Sequence, residues 1–193
     1  MTRIAVVDNH GQFTHLEERA LRDMGVTADI VDNETPPDEV RADGFVLSGG
    51  PSIDRIGRCP AYLDDGRPVL GICLGHQVMA AALGGEVASG DYGGYADVTV
   101  RVLDEDDPLV GPLAPETRTW ASHADEVVTT PPGFVRTAES DVCAVEAMSS
   151  PDRGLFGVQW HPEVAHTAEG KAVFENFVAV CERAAAAAGS GGV

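Results

Sequence analysis

The sequence predicts an α/β domain on a mainly parallel sheet, with further antiparallel strands appended to it. Three observations carry that reading. Short apolar runs such as "RIAVVD" (3–8) and "RPVLGIC" (67–73) have the composition of strands buried on both faces. Segments of helical period alternate with them. From about residue 95 to 150 the pattern changes to short runs broken by turn residues, which suits antiparallel strands.

Taken in order, "RIAVVD" ends its apolar run in Asp8 and opens the sheet. "THLEERALRDMG" (14–25) sets Leu16, Ala20, Leu21 and Met24 at helical spacing and stops at Gly25. "VTADIVD" (26–32) reads as a second strand, and "PPDEVRAD" (36–43) as a short acidic helix or turn. "GFVLSGG" (44–50) is a third strand running into the Gly/Pro loop "SGGPSI". "RPVLGIC" is a fourth, and "LGHQVMAAALGG" (74–85) a helix ended by Gly84 and Gly85. "YADVTVRVL" (95–103), "TRTWASHADEVVTT" (117–130), "GFVRTAES" (133–140) and "CAVEAMSS" (143–150) supply the antiparallel part. "LFGVQW" (155–160) is again a buried strand. The closing helix lies in "HTAEGKAVFENFVAVCERAAAAA" (166–188), with Val173, Phe174, Phe177 and Val180 on one face. With no repeat and no linker, residues 1–188 read as one domain and 189–193 as a tail expected to be disordered.

The chain has 193 residues, 44% of them hydrophobic, enough for one sizeable core. No apolar run reaches the roughly 18 residues of a membrane span, and the start lacks the pattern of a signal peptide, so a cytoplasmic protein is expected. Cys59, Cys73, Cys143 and Cys181 are widely spaced, with no C-x-x-C pair, which signals neither a zinc site nor a disulfide framework. The formal net charge is −18, a field that repels nucleic acid and anionic membranes. Lys171 is the only lysine. Acid-rich, lysine-poor composition suits high salt, where screening relieves self-repulsion; it equally fits a merely acidic cytoplasmic protein.

Gly71-x-Cys73-x-Gly75 sits at a strand-to-helix junction. Its spacing is that of a nucleophile elbow, in which flanking glycines permit a sharp turn that lifts the side chain above the sheet edge. The helix N-terminus there favours thiolate. On the elbow alone, Cys73 reads equally as a nucleophile or a core thiol. "VQWHPEV" (158–164) offers a base, because His161 and Glu163 are two apart and in extended geometry project to one side. The carboxylate would fix the imidazole tautomer while the imidazole takes the Cys73 proton. An attacked carbonyl also needs an oxyanion hole. The amide of Leu74 is one natural donor, and Gly50 in "LSGGPS" (47–52) is the best source of a second.

Together the GICLGHQ elbow (71–77), the HPE pair and the SGGP loop resemble the class I, or triad, glutamine amidotransferases. The resemblance covers nearly the whole chain. It implies a flavodoxin-like sheet with helices on both faces, and hydrolysis of the glutamine side-chain amide by a Cys73, His161 and Glu163 triad through a γ-glutamyl thioester. "TWASHADEV" (119–127) resembles the W-x-S-H-x-D segment of the GMP synthase branch, and SGGPS differs from the S-P-G-P usual in the tryptophan and folate branches. Carried over, Gln77 would hold the amino-acid end of glutamine. Ser122, His123 and Asp125 would lie in a loop that borders the glutamine pocket and faces a synthetase partner. With no S-G-G-x-D-S pyrophosphatase loop in this sequence, the resemblance implies a separate partner protein that binds ATP and magnesium, adenylates XMP and receives the ammonia. No cofactor or metal is expected in this chain. An amidotransferase serving another acceptor, of anthranilate or aminodeoxychorismate type, and a catalytically silent regulatory module are the rival readings.

Overall fold

The computed structural model describes residues 1–190, and the side chains of all of these except 91–96 and 190. One sheet of nine strands runs through it in the order β2-β1-β3-β4-β9-β8-β7-β5-β6. Its parallel half consists of β2 (Thr27–Asp32), β1 (Arg3–Asp8), β3 (Gly44–Leu47), β4 (Val69–Ile72) and β9 (Leu155–Val158). Strands β3, β4 and β9 are buried along their whole length, which is why they read as unbroken apolar runs. The antiparallel half continues through β8 (Ala147–Ser150), β7 (Val135–Glu139), β5 (Glu86–Val102) and β6 (Glu116–Thr129).

Helices cover both faces of the parallel half. On one side lie α1 (Thr14–Asp23) and α4 (Gly170–Ser190), whose Leu21, Phe174 and Phe177 pack with Val6, Val46, Leu70 and Phe156. On the other lie α2 (Cys59–Tyr62) and α3 (Leu74–Ala82), whose Tyr62, Val78 and Met79 pack with Val7, Phe45, Leu47 and Val69. The apolar stripe of α4 reaches the core as the periodicity predicts, with Val173, Phe174, Phe177 and Val180 all buried.

Several boundaries move relative to the sequence reading. Strand β5 begins at Glu86 rather than at 95, since glycines at 90, 93 and 94 interrupt the alternation that would have announced it. Helix α2 spans four residues and shows no period at all; Pro60 near its start is the local signal. "PPDEVRAD" contains a single 3-10 turn, Pro37–Glu39. Helix α4 carries on through Gly189 and Ser190, and the rest of the expected tail, 191–193, lies outside the described residues.

Strand β1 has β2 on one side and β3 on the other, with α1 leaving its end toward β2. The chain therefore changes winding direction at β1, and crevices for ligands open at the carboxyl ends of strands at such a point. The ends of β1, β3, β4 and β9 converge there.

Candidate active site

Cys73 follows the last residue of β4 and stands at the N-cap of α3 with φ +51° and ψ −103°. A non-glycine residue rarely adopts this backbone, and it costs about 1–3 kcal/mol unless the surroundings impose it. They do. A Cβ at Gly71 would lie 2.6 Å from the Gly75 carbonyl, and one at Gly75 would collide with the Leu47 carbonyl oxygen. The two glycines let α3 start against β3 and β4, and the turn between them aims the Cys73 side chain off the sheet edge. The elbow geometry expected from G-x-C-x-G is thus present, as is the position of the Leu74 amide in the first turn of α3.

His161 lies beyond β9. Its N–H donates to the Trp120 carbonyl at 3.0 Å, and its own carbonyl accepts from the Thr167 hydroxyl at 2.6 Å. Backbone bonds to β6 and to the next turn therefore hold it in place. Its Nδ1 meets Glu163 Oε1 at 2.6 Å, in a pair whose side chains are almost wholly buried. The other ring nitrogen is left for the Cys73 sulfur, with which the imidazole also hydrogen-bonds. Burial works to lower the imidazole pKa, but the hydrogen bonds to Cys73 and Glu163 outweigh it and lift the pKa to about 10. At neutral pH the ring carries a proton and a positive charge. A cation at this place stabilises the negative charge of an attacking sulfur, and its proton is available to a departing amine. Phe13 and Trp120 crowd the imidazole, with ring centroids at 5.2 and 5.6 Å, and shield the pair from water.

The two glycines after β3 differ in what they face. A Cβ on Gly49 would stand 3.2 Å from His161 Cε1 and 3.7 Å from Cys73 Cβ. On Gly50 it would strike the Asn9 carbonyl oxygen and come within 2.8 Å of Leu74 Cδ2. The Cα of Gly50 is thus packed tightly against Asn9 and Leu74, a Cβ on Gly49 would point toward the Cys–His pair, and Gly50 lines both cavities beside Cys73. Asn9 in turn fixes the loop: its side-chain amide donates to the Ser48 carbonyl and its N–H donates to the Ser48 hydroxyl, both at 2.9 Å.

Cys73 lies between two cavities. One, of about 300 Å³, runs toward the start of α1 and is walled by Phe13, Glu17, Gly49 and His161. The other, of about 330 Å³, runs along α3 and is walled by Leu74, Gln77, Ser122, His123 and Asp125. Gly50, Pro51, Cys73 and Ser122 border both. All four residues singled out for glutamine binding thus share one wall. Ser122, His123 and Asp125 sit within strand β6 rather than in a loop, because the pairing with β5 continues past them. What they turn toward the site is partly backbone. The Ser122 carbonyl is 3.8 Å from the Cys73 sulfur, and the Asp125 carbonyl accepts from Gln77 Nε2 at 2.6 Å. The Asp125 carboxylate instead accepts from the Ser89 hydroxyl of β5 at 3.0 Å. His123 Nδ1 lies 3.0 Å from the Asp125 carbonyl, and burial lowers its pKa. Gln77 is buried and braces β6, and it also donates to Gln159 Oε1 at 3.2 Å.

Two residues escaped the sequence reading. Gln159 is fully buried, and its Nε2 donates to the Cys73 sulfur at 3.7 Å. The signal was present, since 159, 161 and 163 alternate along one extended stretch. The other is Glu17, buried in the first cavity's wall. Phe13, Glu17 and Leu21 are four apart and share a helix face, so a glutamate stands where the period calls for an apolar residue. Buried His76 under the elbow has its pKa lowered to about 3 by burial and, with Nε2 3.2 Å from the Val145 carbonyl, is a neutral packing residue. Among the described residues no cluster of His, Cys, Asp and Glu is arranged to hold a metal ion, and no helix is long and apolar enough to cross a membrane.

Residues 5–181 match the family Glutamine amidotransferase class-I. A glutamine-hydrolyzing GMP synthase subunit from Haloarcula marismortui is 69% identical over 183 residues, covering 95% of this chain and 97% of the relative. The protein of the same name from Methanosarcina barkeri is 51% identical over 185 residues, covering 94% and 97%. A crystal structure of a Thermoplasma acidophilum protein described as a GMP synthase subunit superposes with a TM-score of 0.89 at 37% identity, covering 95% of each chain.

Proposed function

This chain belongs to the class-I glutamine amidotransferase family, and we propose that it is the glutamine-hydrolysing subunit of a GMP synthase, feeding ammonia to a synthetase partner. The observation that carries the reading is the strained Cys73 elbow facing a buried His161–Glu163 pair.

Glutamine enters the cavity along α3, with its amino-acid end toward Gln77, Ser122, His123 and Asp125. The Cys73 sulfur attacks the side-chain amide carbon. The amides of Gly50 and Leu74 take the oxyanion, in a site where preorganised donors are worth about 3–4 kcal/mol each. His161, having accepted the thiol proton, gives it to the leaving nitrogen, so that the C–N bond breaks and ammonia departs. Glu163 holds the tautomer and offsets the positive charge on the ring. Water then cleaves the thioester and releases glutamate. The acceptor chemistry belongs to the partner, which would bind ATP and magnesium and activate XMP. The relatives from Haloarcula marismortui and Halobacterium salinarum, and the net charge of −18, support work in the cytoplasm of a salt-rich cell.

The test is glutamate release by the complex of this chain with its synthetase partner, supplied with ATP, magnesium and XMP. Wild type should hydrolyse glutamine and yield GMP, and Cys73→Ala should do neither. Equal glutamate release by the two proteins overturns the mechanism. Hydrolysis coupled to another acceptor overturns the GMP synthase assignment while leaving the glutaminase.

A further inference from the structure

Gln159 is a wholly buried primary amide beside the nucleophile, and it borders neither cavity. Its backbone N–H donates to the Glu146 carbonyl at 2.7 Å, which pins the residue just beyond β9. Val158 and Trp160 on either side are equally buried, so an apolar side chain would suit the position without the cost of desolvating an amide. Both ends of this amide are engaged. Oε1 accepts from Gln77 Nε2 at 3.2 Å, and Nε2 donates to the Cys73 sulfur at 3.7 Å.

The two ends of an amide are alike in size, so the hydrogen-bond network decides which of them faces which neighbour. Here the network starts from a group that cannot turn round. The Asp125 carbonyl only accepts, so Gln77 must face it with Nε2, at 2.6 Å. The other hydrogen of the same nitrogen goes to Gln159. Gln159 must then turn Oε1 to Gln77 and Nε2 to the sulfur. Resting on the glutaminase reading, we infer that Gln159 is a further catalytic residue, whose amide is held by Gln77 and the Asp125 carbonyl so that its N–H donates to the reacting sulfur. The donor matters most when the sulfur is negative, because charge-assisted hydrogen bonds are the stronger ones. That state arises twice in a turnover. The thiolate carries the charge before it attacks the amide carbon of glutamine. It regains the charge after water has added to the thioester, when the C–S bond breaks and its electron pair returns to sulfur. The His161 imidazolium supplies one donor to the sulfur, and Gln159 supplies a second that keeps its proton throughout. The Ser122 carbonyl, 3.8 Å from the sulfur, can accept an S–H but offers a thiolate nothing.

The experiment follows alkylation of Cys73 by iodoacetamide, in which the sulfur displaces iodide and glutamine takes no part. Cys59, Cys143 and Cys181 are at most 2% exposed, and burial raises their pKa values, so the reaction favours Cys73; peptide mass spectrometry assigns the label. Gln159→Met keeps the length of the side chain and removes the donor. It should alkylate about tenfold more slowly than wild type at pH 7. In the complex with the synthetase partner, its kcat should fall about tenfold while the KM for glutamine stays within about twofold, because Gln159 borders neither cavity. Gln77→Glu tests the polarity without altering Gln159. A carboxyl has at most one hydrogen, which the Asp125 carbonyl takes, so Gln159 then meets an acceptor. Its amide turns Nε2 toward that acceptor and presents Oε1 to the sulfur. Alkylation should fall about thirtyfold, since an opposed dipole is worse than an absent one. In the double variant, Gln77→Glu should cost less than about threefold beyond Gln159→Met, because the amide it would turn is gone. Alkylation within about twofold of wild type in Gln159→Met, or in Gln77→Glu should the first variant not fold, overturns the inference. So does a double variant in which the two losses multiply in full. Wild type that alkylates at Cys73 but releases no glutamate in the complex overturns the glutaminase reading instead.

Discussion

The parallel and antiparallel halves of the sheet contribute to the site in different ways. The parallel half supplies side chains: Cys73 after β4, and His161 and Glu163 after β9, each projected from the end of a wholly buried strand. The antiparallel half supplies backbone. Trp120, Ser122 and Asp125 of β6 offer carbonyls to His161, Cys73 and Gln77 respectively. A side chain that reacts cannot be replaced, whereas a carbonyl comes with any residue that keeps the strand paired. The comparison predicts that side-chain substitutions fall hard on one half and lightly on the other.

The largest effects belong to the parallel half. Cys73→Ala should lower glutamine hydrolysis at least about 10⁴-fold, since without the sulfur no acyl-enzyme forms. The fold should survive, because the strained elbow is imposed by Gly71 and Gly75 and alanine tolerates it as well as cysteine. Glu163→Gln keeps the shape but removes the charge that stabilises the imidazolium, and roughly 10²–10⁴-fold of kcat should go with it. Steady-state kinetics of the complex, with Tm as the control for folding, check both. Retention of a tenth of the activity by either variant would break the comparison.

A buried carboxyl in the other half titrates for stability alone. Glu146, just before β8, has its pKa raised to about 7 by burial, partly opposed by a 2.7 Å hydrogen bond from the Ser140 hydroxyl. A carboxyl whose folded pKa exceeds its unfolded value of about 4.3 favours folding below that value. That contribution disappears as pH rises through about 7, where the folded protein must hold a buried charge with Oε2 unpartnered. Glu146→Gln should therefore be more stable than wild type at pH 8, on the order of 2 kcal/mol, with the gain vanishing near pH 4.5. Urea unfolding of both proteins at the two pH values measures it. The same gain at both would mean that the charge is not its source. Glutaminase activity should stay within about twofold, because Glu146 touches neither cavity.

The same contrast explains what the sequence disclosed. The parallel half announced itself: apolar runs marked β3, β4 and β9, and G-x-C-x-G with H-P-E marked reactive side chains whose types are rare enough to notice. The family match bears out the fold class and the amidotransferase resemblance. Backbone contributions carry no residue signature, so the resemblance makes the SHAD segment a loop of binding side chains, although these residues belong to β6, which pairs with β5 on both sides of an irregularity at Ala124. Gln159 was legible from alternation with His161 and Glu163. Glu17 was hidden because a glutamate in an acidic amphipathic helix looks solvated, and only the packing of α1 against the loop after β3 shows it buried.

The smallest effects test the comparison most sharply. Asp125→Asn removes a charge that the resemblance assigns to glutamine binding. In the structure that carboxylate bonds to Ser89 on the adjoining strand, and the carbonyl that braces Gln77 is untouched by the substitution. Ser122→Ala likewise keeps the carbonyl 3.8 Å from the Cys73 sulfur. Each should change kcat by less than about threefold, with any loss confined to KM, as expected for interactions made equally in the ground and transition states. Gln77→Ala is the informative contrast. It deletes the amide that ties α3 to β6 and reaches Gln159 beside the sulfur, and it should cost about tenfold in kcat/KM through looser placement of the nucleophile. If Asp125→Asn proves as damaging as Gln77→Ala, the β6 side chains themselves contact substrate, and the division into a reactive half and a backbone half fails at that strand.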